Sequence, residues 1–125
     1  MKHKLSYNSE HDFFELVFNG PATVDQVLQL YFACFEHPKF RLGSCYLCDY
    51  RKGSPNMGLA DMETMVEYAK KVTQFATHKY RVAALSQSPT EHAIFNIWRQ
   101  FSVQIPNEEF EVFTDYDQAV AWLTE

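Results

Sequence analysis

Val82-Ala83-Ala84-Leu85-Ser86-Gln87-Ser88-Pro89-Thr90-Glu91-His92-Ala93-Ile94 contains the fold in miniature. Its first four residues form a continuous apolar run, the pattern of a strand buried on both faces of a parallel sheet. A helix start follows. Ser88 suits the N-cap, Pro89 the first helical position, where a missing N–H is harmless, and Glu91 the third. Ile94, Ile97, Trp98, Phe101 and Ile105 then fall at helical spacing, and Pro106-Asn107 ends the run. The next apolar stretch, Phe110-Glu111-Val112-Phe113, is again a strand, so the whole segment reads as one β-α-β unit.

Working outward, the unit repeats. Tyr46 and Leu47, flanked by Cys45 and Cys48, make another short buried strand. A long loop, Asp49 to Gly58, leads to a helix from about Ala60 to Thr77, with Met62, Val66, Ala69, Val72 and Ala76 on one face. Before it, Thr23 is an N-cap with Gln26 at the capping-box position, opening a helix to about Glu36 that presents Val24, Val27, Leu28, Tyr31 and Phe35. Phe13 to Phe18 is a strand stopped by Asn19-Gly20-Pro21. Lys4 to Asn8, joined to it by the turn Ser9-Glu10-His11-Asp12, completes an antiparallel hairpin. At the far end, Thr114 or Asp115 caps a last amphipathic helix through Trp122-Leu123. The order is β-β-α-β-α-β-α-β-α. Right-handed crossovers then predict an α/β fold with a mixed, mostly parallel five-stranded sheet, its first strand antiparallel. No repeat, low-complexity segment or linker interrupts the chain, so residues 1–125 read as one domain.

Composition narrows the function classes. At 46% hydrophobic and 22% charged the chain is globular. A net charge of −5 argues against sequence-independent binding of nucleic acid and against docking on an anionic membrane. No apolar stretch approaches the roughly 20 residues of a membrane span, and the N-terminus lacks the apolar core of a signal peptide. Three cysteines suggest free thiols in a reducing cytoplasm. No Gly-x-Ser-x-Gly elbow, P-loop or dinucleotide fingerprint is present, and no cofactor is expected.

The element order, Asp49 at the end of the third strand, and the closing pattern Phe113-x3-Asp117-x-Ala119-x2-Trp122-Leu123 resemble the STAS fold, and more narrowly its bacterial SpoIIAA-like branch. The resemblance implies parallel strands in sequential order and a non-enzymatic role. That role is phosphorylation-controlled partner binding, as in anti-sigma-factor antagonists, or binding of an apolar ligand, by kinship to lipid-carrier domains. The antagonists carry their target Ser between the third strand and the second helix in a short Asp-Ser-Ser/Thr-Gly pattern. This chain has Asp49-Tyr50-Arg51-Lys52-Gly53-Ser54-Pro55 there, a longer segment with Pro after the Ser.

Ligands of open parallel sheets bind beyond the carboxyl ends of the strands. Those ends are Asp49 to Ser54, and Ser86 to Ser88 with His92 beside it. Arg51 and Lys52 suit an anion and Gly53 lets backbone approach it; alternatively, Asp49 caps backbone amides and Arg51 pairs with Asp49 or Glu63. His92 reads as a general base or as a solvated surface residue. Cys34-x2-His37 with Cys45-x2-Cys48 imitates a zinc spacing, but residues three apart on a strand point to opposite faces, so buried structural thiols are expected and no metal. Aromatic residues make up 16% of the chain. Phe32, Tyr50, Met57, Tyr68, Phe75 and Phe95 lie off or at the margins of the core stripes, as a self-association face, a groove lining or a wide buried stripe.

Three readings follow. The first is a non-enzymatic domain that binds a protein partner or homodimerises, with its partner-facing surface centred on the Asp49–Ser54 loop and the start of the second helix. On it, Arg51→Ala with Lys52→Ala weakens capture at nearly unchanged melting temperature. The second is a carrier or sensor of a small apolar or amphipathic ligand, in a pocket between helices lined by Phe75, Phe95 and Trp98 with Arg51 at its mouth. The third is an enzyme with Asp49 or His92 as base.

Overall fold

Side-chain caps set the helix starts. Thr23 Oγ1 accepts from the Gln26 N–H at 3.3 Å while Gln26 Oε1 accepts from the Thr23 N–H at 2.9 Å, a complete capping box that begins α1 (Val24–Phe35). The Asp61 carboxylate accepts from the Gly58 N–H at 3.0 Å at the start of α2 (Leu59–Thr73). Ser88 Oγ accepts from the Glu91 N–H to open α3 (Pro89–Ser102), and Asp115 accepts from the Gln118 N–H to open α4 (Tyr116–Leu123). The computed structural model describes residues 3–74 and 77–125. Phe75 and Ala76, read above as part of the second helix, lie outside them.

The strands are β1 (Lys4–Asn8), β2 (Phe13–Thr23), β3 (Cys45–Asn56), β4 (Tyr80–Leu85) and β5 (Glu108–Phe113). They form a sheet in the order β1-β2-β3-β4-β5, with β1 antiparallel to β2 and every other pair parallel. Sequential parallel neighbours joined by crossovers of one hand place their helices on one face. Accordingly α1, α2 and α3 cover the face that carries Phe14, Leu16, Phe18, Tyr46, Cys48, Val82 and Ala84, and α4 alone covers Phe13, Leu47, Ala83 and Leu85 with Ala119 and Leu123.

Several boundaries differ from the sequence reading: α2 ends at Thr73, β4 begins at Tyr80 and β5 at Glu108, and two strand ends move furthest. β2 does not stop at Asn19-Gly20-Pro21, and β3 does not end at Asp49. Both run on as a two-stranded ribbon to the pair Thr23↔Asn56, after a register shift between Val17 and Asn19 that gives β3 one extra residue. β1 leaves β2 after Val17 and β4 leaves β3 after Asp49, so each strand there has one neighbour, the edge setting in which proline is tolerated. The ribbon is also tight. A Cβ on Gly53 would lie 2.7 Å from the Phe18 carbonyl oxygen, so only glycine fits this approach without a backbone shift.

The α3 stripe is rotated from the expected one. Phe95 is buried, while Ile97 is 43% exposed. Cys45 and Cys48 do point to opposite faces, Cys45 against the α4-side cluster and Cys48 in the other. Burial pushes the Cys34 and Cys48 thiols up to about 12, so both stay protonated and unreactive. No helix among the described residues is long and apolar enough to cross a membrane.

Candidate ligand pocket

At the two expected strand-end sites Asp49, Arg51, Ser86 and His92 are hydrogen-bonded within the fold. Asp49 is buried on the α4 face. It accepts from the Arg51 N–H at 3.0 Å and from the guanidinium at 2.8 Å, while Arg51 lies 5.5 Å from the centroid of the Tyr116 ring. Lys52 is exposed, and Gly53 and Ser54 are inside the β2–β3 ribbon, paired with Gly20 and Pro21, rather than in a loop. Tyr50 points the other way, stacked on Phe18 with centroids 4.4 Å apart.

This arrangement revises the expectation that removing Arg51 leaves stability unchanged. Arg51→Ala strands the buried Asp49 carboxylate. With the guanidinium side chain 40% exposed the pair is partly screened, so the expected loss is about 1–2 kcal/mol. Lys52→Ala should stay within about 0.5 kcal/mol of wild type. Urea unfolding of the two single variants checks this; equal stabilities would show that Asp49 does not need its partner.

At the other end, Ser86 is fully buried. Its hydroxyl donates to Glu91 Oε1 at 3.0 Å and accepts from the Ser88 N–H at 3.3 Å. His92 is half-buried, and its Nε2 donates to the Ser86 carbonyl at 2.6 Å. The imidazole thus addresses a backbone oxygen and not the serine hydroxyl, which is already committed to Glu91. The cluster secures the start of α3.

The concave feature lies on the opposite face of the sheet from Arg51. α2 bridges α1 and α3. Beneath it is a cavity of about 100 Å³ lined by Leu28, Tyr31 and Phe35 of α1, Tyr46 of β3, Met65, Tyr68 and Ala69 of α2, Tyr80 of β4, Trp98 of α3 and Glu108 of β5, among others. A smaller cavity of about 50 Å³ shares Tyr31, Met65, Trp98 and Glu108 and extends to Tyr50 and Phe95. Of the expected pocket residues, Phe95 and Trp98 both line the smaller cavity, where Tyr50 joins them. Arg51 is not at the mouth, because odd-numbered β3 residues before the extra residue face α4. Leu42 and Val72, 55% and 40% exposed, also line the larger cavity.

Glu108 is the residue the sequence reading missed. Tyr80 Oη donates to its Oε1 at 3.0 Å, while Oε2 is buried with no hydrogen-bond partner among the described residues. The residue as a whole is half-buried, but this carboxylate oxygen is closed off from solvent. Burial lifts its pKa to about 7, against a smaller opposing pull from the Tyr80 hydrogen bond. Burial also raises the Tyr31, Tyr46 and Tyr80 phenols, which remain neutral. A signal was present. Once the last strand is begun at Glu108, alternation puts Glu108, Phe110 and Val112 on one face, so a carboxylate falls at a core-facing position.

A β-β-α-β-α-β-α-β-α chain with sequential parallel strands, three helices on one face and a short terminal helix on the other has the SpoIIAA-like fold. The chain is similar to a solved structure, an uncharacterised protein of the DUF3478 family with a SpoIIAA-like fold from Shewanella loihica PV-4. The TM-score is 0.60 at 17% sequence identity, over 97% of this chain and 91% of that one. No family model and no curated protein matches the sequence.

Proposed function

We propose that this protein is a non-enzymatic carrier or sensor of a small apolar or amphipathic molecule, held between the sheet and α1, α2 and α3. One observation carries the reading: Tyr50, Tyr68 and Phe95 of the aromatic surplus line two cavities that share Tyr31, Trp98 and a single enclosed carboxyl, the combination of apolar walls and a few convergent polar groups that marks ligand sites. Neither strand-end cluster offers a competing reactive group.

A neutral ligand that binds the native state raises its stability by mass action, by about 2.7 kcal/mol at a hundredfold excess over Kd. Thermal unfolding with 1-hexanol and indole should therefore shift upward, and Ala69→Phe, which fills the cavity from α2, should abolish the shift. A panel of neutral apolar probes with no shift would overturn the reading.

A partner-binding or homodimeric domain is the second reading. It is favoured by the exposed apolar side chains Leu59, Ile97 and Val103. Native mass spectrometry separates the two, since a retained small molecule supports the carrier and a bare dimer supports the interaction domain.

A further inference from the structure

The pocket's electrostatics select among amphipathic ligands. Apart from Glu108, its polar groups are phenols, hydroxyls, backbone and an indole, and no Lys, Arg or His lines either cavity among the described residues. A fatty-acid carboxylate placed there would meet no cation and would sit against a second carboxyl. The unpartnered group, Glu108 Oε2, is an acceptor when ionised and calls for an N–H donor. Tyr31, Tyr46, Tyr80 and Trp98 line the same cavity, so an ammonium there has aromatic rings as neighbours, the side chains whose faces attract a desolvated cation.

Resting on the pocket reading above, we infer that the ligand is an apolar amine, whose ammonium donates to Glu108 Oε2 while its hydrocarbon body fills the aromatic cavity beneath α2.

Binding is then linked to a proton. The free protein holds Glu108 about half protonated near pH 7, and an ammonium requires the carboxylate. The titratable groups facing Glu108 are Tyr80 of β4, Tyr46 and Cys48 of β3 and Tyr31 of α1; Tyr68 of α2 lines the same cavity, and Trp98 of α3 does not titrate. Burial raises the first four, so none of them changes charge near neutrality and the linkage belongs to the carboxyl.

The test is isothermal titration calorimetry of the full chain with hexylamine, 1-hexanol and hexanoate at pH 6 and pH 8. Hexylamine stays protonated across this range, because alkylammonium groups titrate near pH 10.4. It should bind about tenfold more tightly at pH 8 than at pH 6, the factor that follows from releasing one proton from a group titrating near 7. 1-Hexanol should show no such gain, and hexanoate should bind most weakly. In Glu108→Gln the hexylamine pH dependence should disappear and its advantage over 1-hexanol with it. If 1-hexanol binds and hexylamine binds no better at pH 8, the amine inference falls and the pocket stands. If none of the three binds, the pocket reading falls too.

Discussion

Phe18→Ala is expected to lower the free energy of unfolding by about 3–5 kcal/mol, the range for emptying a fully buried aromatic site. Phe18 has no exposed surface, and its ring stacks on Tyr50 at 4.4 Å and 13° and lies 5.3 Å from the His3 ring. It also sits opposite the extra residue of β3, where the β2 backbone presses on Gly53. The site cannot collapse easily, because the neighbouring backbones are already in contact. A loss of that size is a large share of the roughly 5–15 kcal/mol that holds a domain folded. Urea unfolding measures it, with the slope expected to stay near wild type. A loss below about 1 kcal/mol would show that the ring is not a structural keystone of the ribbon.

Glu108→Gln should make the protein more stable at pH 8, by about 3 kcal/mol relative to its effect below pH 4.5. In the unfolded chain the carboxyl gives up its proton near 4.5; in the folded protein it holds it to about 7. Between those values the native state binds the extra proton, so wild-type stability falls as pH rises through the window and the loss is complete above it. Each pKa unit corresponds to about 1.36 kcal/mol, which sets the size. Gln keeps an acceptor for the Tyr80 hydroxyl but adds an amide donor with no partner. That penalty is the same at both pH values and cancels in the comparison. Equal differences between variant and wild type at pH 4.5 and pH 8 would mean that Glu108 is not desolvated.

The architecture was legible because its punctuation was local. Thr23, Ser88 and Asp115 each cap a helix from their own sequence neighbourhood, and the apolar runs at Phe13, Tyr46 and Val82 each mark a strand buried on both sides. The β2–β3 ribbon was not legible. Pro21 and Pro55 are breakers unless one knows that β1 and β4 have already departed, which is a tertiary fact. The same applies to the site. Tyr50 and Phe95 were readable as aromatic surplus and Trp98 as a pocket liner, but Asp49, Arg51, Ser86 and His92 are hydrogen-bonded to neighbouring side chains or the backbone. The decisive residue, Glu108, was hidden by a strand start placed two positions late, an error that removes a charge from the core-facing series.

Tyr80 and Glu108 stand directly opposite each other in the β4–β5 register. The polar pair is therefore fixed by main-chain pairing, while the apolar walls around it come mostly from three helices. Descendants of such a chain can exchange Leu28, Phe35, Met65, Tyr68 or Ala69 and reshape what the cavity admits without disturbing the acid at its floor. The sheet acts as an anvil and the helices as interchangeable moulds, so new ligand shapes are accessible by drift while the anchoring chemistry is inherited unchanged.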